Sequence, residues 1–96
     1  RSALLPEVPT VSESGVAGFD MSTWWGLVAP SAVSKDIVAK LHAETVKALK
    51  LPEARERMGS VGAEPGGNTP DEFGAFIRSE TAKYARIVKD ANIKID

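Results

Sequence analysis

The residues with the most chemical potential lie between Phe19 and Trp25, where two adjacent tryptophans follow Asp20, Ser22 and Thr23. Large apolar planes beside short hydrogen-bonding groups are the ingredients of a small-molecule cleft. A hydroxyl from Ser22 or Thr23 can donate to a carboxylate. Asp20 can accept from an amine or a hydroxyl, but it repels a bare anion unless a water or another donor intervenes. The same residues also suit a buried tryptophan anchor beside a capped turn, which involves no ligand.

Other chemistries find little material. His42 is the only histidine, and the nearest acid along its helix, Glu44, is two residues away and so points elsewhere. A general base needs a nucleophile and an orienting carboxylate converging on it, and the sequence offers His42 neither locally. Gly62, Gly66 and Gly67 lie close together without the lysine and the strand-loop-helix order of a phosphate loop, so they are read as turn geometry. Asp71-Glu72 and Glu53-x-x-Glu56 supply carboxylates with no histidine or cysteine beside them. Asp71 and Glu72 are accounted for by their place at a helix start, where the dipole favours acids. The expectation is a protein that is not an enzyme, with no catalytic residue, no metal site and no cofactor.

The elements that must position the Phe19–Trp25 segment follow from patterning. The 96 residues are enough for one modest core, and the hydrophobic fraction of 43% excludes a disordered tail. No uninterrupted apolar run reaches the roughly 18 residues of a membrane span. A formal charge of −1, with acids and bases interspersed, leaves no polycationic footprint for nucleic acid. The absence of cysteine excludes disulfides and thiolate metal sites. The first residues, Arg1 to Glu7, carry no methionine start and no long apolar run, so no export leader is read in them.

Residues 1–18 are punctuated by proline and end in the Gly15-Val16-Ala17-Gly18 turn, with one helical turn read around Val11 to Ser14. The run Thr23–Val28 is rich in strand formers and bounded by Pro30, so it is read as a strand covered on both faces. Ser34 caps a helix to about Leu49, with Ile37, Val38, Leu41, Thr45, Val46 and Leu49 on one side. Pro52 opens a second, short helix that stops before Gly59 or Gly62, forming a hairpin-like pair with the first. Ala63-Glu64 has room for a very short edge strand. Thr69-Pro70-Asp71-Glu72 is the clearest local signal: Thr69 caps, Pro70 sits at the first helical position and Glu72 closes the box. The helix it starts runs to about Asp90, with Phe73, Phe76, Ile77, Thr81, Tyr84, Ile87, Val88 and Ala91 as its apolar stripe.

A lone strand has no ladder partner, and its amides and carbonyls must find partners elsewhere. At this point the sequence meets a known pattern. Leu5-Pro6-Glu7-Val8-Pro9-Thr10-Val11, Gly15-Val16-Ala17-Gly18-Phe19-Asp20 and Trp24-Trp25-Gly26-Leu27-Val28-Ala29-Pro30 closely resemble the C-terminal part of tripartite tricarboxylate transporter substrate-binding receptors, the Bug-type periplasmic receptors. Ile37-Val38-x-Lys40-Leu41, the Leu49-x-x-Pro52 break, Gly62 and Thr69-Pro70-x-Glu72-Phe73 continue the resemblance across essentially the whole chain.

The resemblance implies an α/β fold: the C-terminal segment of a two-lobed receptor of the periplasmic-binding-protein type II kind, mostly helical with one central strand and room for one short edge strand. Residues 1–22 would be a connector bordering the cleft. Residues 23–96 would complete one lobe, their strand pairing with sequence outside this chain. It further implies capture of a small carboxylate in the periplasm and its delivery to membrane transporter subunits. By the same resemblance Asp20, Ser22 and Thr23 would neighbour the ligand and Trp24 would form its wall, while Trp25 packs inward. A second reading is a non-catalytic structural or interaction module, a homodimer formed by strand exchange or by packing helix stripes, since an exposed apolar edge invites pairing.

Overall fold

The computed structural model describes residues 1–95. It divides into two compact units, residues 1–66 and residues 67–96. The first holds α1 (Lys35–Lys50) and α2 (Pro52–Ser60), which contact each other. The second holds α3 (Pro70–Asp90).

Helix α1 begins where expected. Ser34 is extended (φ −64°, ψ 151°) and its hydroxyl accepts the amide of Ile37 at 3.4 Å. Asp36 in the first turn and Lys47 and Lys50 in the last complement the helix dipole. The helix ends because of Pro52: the ring disfavours helical dihedrals at the residue before it, and Leu51 is extended (φ −62°, ψ 136°). Pro52 then serves as the first residue of α2, where its missing amide costs nothing.

Helix α2 runs through Gly59 to Ser60 and is closed off at Gly62. The amide of Gly62 donates to the carbonyl of Gly59 (3.0 Å) and that of Ala63 to the carbonyl of Met58 (2.9 Å). This paired closure requires a left-handed residue, which Gly62 supplies at φ +74°. The same closure recurs at the end of α3, where Asn92 (φ +52°) is the left-handed residue, its amide bonded to Lys89 and that of Ile93 to Val88. It occurs a third time in the turn Thr10–Val16, around Gly15. Helix α3 starts at Thr69, whose hydroxyl accepts the amide of Glu72 at 3.2 Å. The Glu72 carboxylate meets the Thr69 hydroxyl, which donates to it at 3.0 Å, instead of the Thr69 amide that the reciprocal bond of a capping box would use.

The two expected strands do not form among the described residues. Thr23–Val28 has no ladder, because no second extended segment pairs with it here. The amide of Ala63 is already committed to the closure of α2, so Ala63-Glu64 cannot enter a ladder through it.

No described residue is buried. On α1, Val38, Thr45, Val46 and Leu49 are half-buried, whereas Ile37 and Leu41, at the edge of the same stripe, are each 55% exposed. On α3 the half-buried positions include Phe73, Phe76, Ile77, Tyr84 and Ile87, while Thr81 and Val88 are exposed. Phe73 and Phe76 stack with ring centroids 6.3 Å apart. Thr81 turns its hydroxyl back onto the carbonyl of Ile77 at 2.7 Å.

Candidate functional site

The candidate segment is introduced by the turn Thr10–Phe19. Thr10 acts as a cap, its hydroxyl accepting the amide of Glu13 at 3.1 Å and its carbonyl accepting the amide and the hydroxyl of Ser14 at 3.0 and 2.8 Å. Thr10-x-x-Glu13 is the same sequence signal as Thr69-x-x-Glu72, and it makes the single helical turn around Val11 to Ser14. Glu13 is in turn held by Arg1, whose Nε donates to its carboxylate at 2.8 Å and whose Nη1 donates to the carbonyl of Pro6 at 3.2 Å. The Arg1 hydrogen bond is the main cause that holds the Glu13 carboxyl below its ordinary pKa.

From Asp20 to Ala29 the chain adopts neither helix nor ladder. Asp20, Ser22 and Thr23 are exposed, and Trp24 is 40% exposed. The four expected site residues thus lie within five consecutive positions of one solvent-facing segment. Trp25, expected to pack inward, is 80% exposed, and Leu27 and Val28 stand at 78% and 84%. The reason is the missing ladder: nothing among the described residues closes over this edge.

His42 is half-buried on α1, and the carboxylate of Glu44 accepts from Lys47 at 3.2 Å. Among the described residues no group of three or more His, Cys, Asp or Glu is placed to hold a metal ion. Among the described residues no helix is long and apolar enough to cross a membrane. A small pocket that sequence reasoning did not anticipate lies where Ser2, Ala3 and Leu4 meet Gly59, Gly62, Ala63 and Glu64. There Leu4 Cδ1 comes to 3.7 Å from the position a Cβ would take on Gly62. Residues 2–4 thus lie against the end of α2. The signal for this contact was faint: an apolar Leu4 in a proline-rich stretch and a glycine that a helix closure needed in any case.

The family described as the tripartite tricarboxylate transporter family receptor matches residues 1–93, and the chain belongs to that family. Among curated relatives, a protein encoded in the tcbD-tcbE intergenic region of a Pseudomonas species is 34% identical over 89 residues, which covers 92% of this chain and 26% of the relative. BugT of Bordetella pertussis is 32% identical over 95 residues, covering 99% of this chain and 29% of BugT. A protein from the clcB-clcD intergenic region of Pseudomonas knackmussii is 31% identical over 85 residues, covering 88% of this chain and 50% of the relative. The chain therefore spans between about a quarter and a half of the length of these relatives. No solved structure gives a significant match.

Proposed function

We propose that this chain is part of a periplasmic solute-binding receptor that captures a small carboxylate between two lobes and presents it to a tripartite tricarboxylate-type membrane transporter. The observation that carries the reading is family membership across residues 1–93, within which the exposed Asp20–Trp24 segment offers hydroxyls, a carboxylate and an indole face. In this reading Ser22 and Thr23 donate to a ligand carboxylate and Trp24 packs against its carbon skeleton. Asp20 accepts from a ligand amine or hydroxyl, or from a water bridging to the anion. Residues 1–22 border the cleft, and residues 23–96 complete one lobe. The Thr23–Val28 segment pairs in the full-length receptor with strands contributed by other parts of the polypeptide, and closure of the lobes surrounds the ligand. The receptor performs no chemistry on its ligand.

The test is titration calorimetry of the full-length receptor with succinate, citrate, glutamate and benzoate as probes. Binding of at least one supports the reading, and uniform absence of binding rejects it.

The exposure of Trp25, Leu27 and Val28 also favours a second reading, in which two copies pair through this edge. Light scattering separates the two. A dimer abolished by Leu27→Asp supports pairing through the edge, whereas a full-length receptor that is monomeric and binds carboxylate removes it.

A further inference from the structure

The residues proposed to meet the ligand begin immediately after the Thr10–Phe19 turn, so the way this turn ends decides where they point. Its entry is braced from outside by Arg1, which holds Glu13, and from within by the Thr10 cap. Its exit is held differently. The hydroxyl of Ser12 accepts the amide of Gly18 at 3.3 Å, and the amide of Phe19 donates to the carbonyl of Val16 at 3.1 Å. Ser12 also accepts the amide of Gly15 through its carbonyl at 3.4 Å, so one residue ties the middle of the turn to its end. Gly18 lies at φ +78°, the reversal that sends the chain into Asp20. Nothing lies within 4 Å of the position a Cβ would take there. Steric walls at Gly18 therefore do not fix the direction of exit; the Gly18 dihedral and the hydrogen bonds of the Gly18 amide to Ser12 and of the Phe19 amide to Val16 contribute to it, and of these the bond to Ser12 is the one made by a side chain.

From this the geometry points to Ser12 as a positioning residue for the ligand-contacting segment Asp20–Trp24. Ser12 touches no ligand in this scheme; it acts through the Gly18 amide. The inference rests on the receptor reading for the role of Asp20–Trp24, while the ordering of that segment can be measured without any ligand.

The experiment compares the full-length wild-type receptor with Ser12→Ala and Ser12→Thr. Two readouts are used: calorimetric titration with succinate and citrate, and amide hydrogen exchange at residues 18–23. A neutral hydrogen bond is worth enough to change an equilibrium by about threefold to tenfold. Ser12→Ala is expected to weaken carboxylate affinity and to speed exchange at residues 18–23 by about that factor, with the thermal midpoint of the receptor close to wild type. Ser12→Thr, which keeps the hydroxyl, restores both. Unchanged exchange and affinity in Ser12→Ala overturn the inference, as does a Ser12→Thr variant that behaves like the alanine. If the wild-type receptor binds no carboxylate, the receptor reading falls by itself. The positioning role is then decided by exchange alone, where acceleration in Ser12→Ala supports it and an unchanged rate sinks it.

Discussion

At the scale of single residues, Asp20 carries the sharpest consequence, because on the reading proposed above it sets a carboxylate within the segment that meets a carboxylate ligand. Asp20→Asn removes a repulsion from a bare dicarboxylate and removes a charged acceptor from an amino acid. Succinate affinity is expected to rise and glutamate affinity to fall, the fall by about tenfold or more, since a hydrogen bond to a charged group contributes roughly 1.5–3 kcal/mol. Calorimetry of the variant receptor checks the opposed signs. Glu13 makes a pH prediction. Its carboxyl titrates below its ordinary range, chiefly through the Arg1 hydrogen bond, so the folded pKa lies below the unfolded one. What the pair lends to the turn is present above the unfolded pKa and is lost as pH falls through the lowered, folded value. A carboxyl NMR titration is expected to show the depressed Glu13 midpoint and its return toward the ordinary range in Arg1→Ala. The side chains at positions 20–24 suited a small-molecule cleft and a tryptophan anchor alike, and only the family resemblance turned them into a proposed binding segment. The Arg1–Glu13 pair was not, because it joins positions twelve apart through a turn whose path depends on Gly15.

At the scale of elements, the helices were legible because their ends are written locally. Ser34, Pro52 and Thr69-Pro70 mark starts within a residue of where they fall, and Asp90 ends α3 as the pattern indicated. The stop of α2 was ambiguous between Gly59 and Gly62, and backbone geometry resolves it: Gly62 occupies the left-handed position, while Gly59 lies inside the helix. The caps can be weighed by substitution in the full-length receptor. Thr69→Ala is expected to destabilise by about 1 kcal/mol through loss of the α3 cap. Gly62→Ala is expected to cost about 1–2 kcal/mol, and the source is dihedral strain, because Leu4 at 3.7 Å leaves ordinary room for a methyl group. Thermal denaturation of both variants measures the losses. A Gly62→Ala receptor as stable as wild type would show that the closure around Gly62 is not held in the full-length fold. The strand at Thr23–Val28 shows the limit of local reading. Residue types favour extension there, but a strand is completed by a partner, and none of the described residues supplies one.

At the scale of the whole molecule, 43% of the residues are hydrophobic and yet no described residue is buried. Cooperative unfolding needs a core whose contacts are lost together, so the isolated 96-residue chain is expected to show no sharp heat-absorption peak in scanning calorimetry. Its fluorescence is expected to resemble that of solvated indole, dominated by Trp25 at 80% exposure. A sharp two-state transition in a monomeric chain would contradict this. The sequence alone suggested a modest core, since composition counts apolar residues without saying what covers them.

The uncovered edge at Trp25, Leu27 and Val28 also has a consequence for temperature. Removing such surface from water lowers the heat capacity, and its driving force near room temperature is the freedom regained by released water, which dwindles on cooling. Whatever closes over these three side chains, another part of the same polypeptide or a second copy, therefore grips them less firmly near freezing than at room temperature.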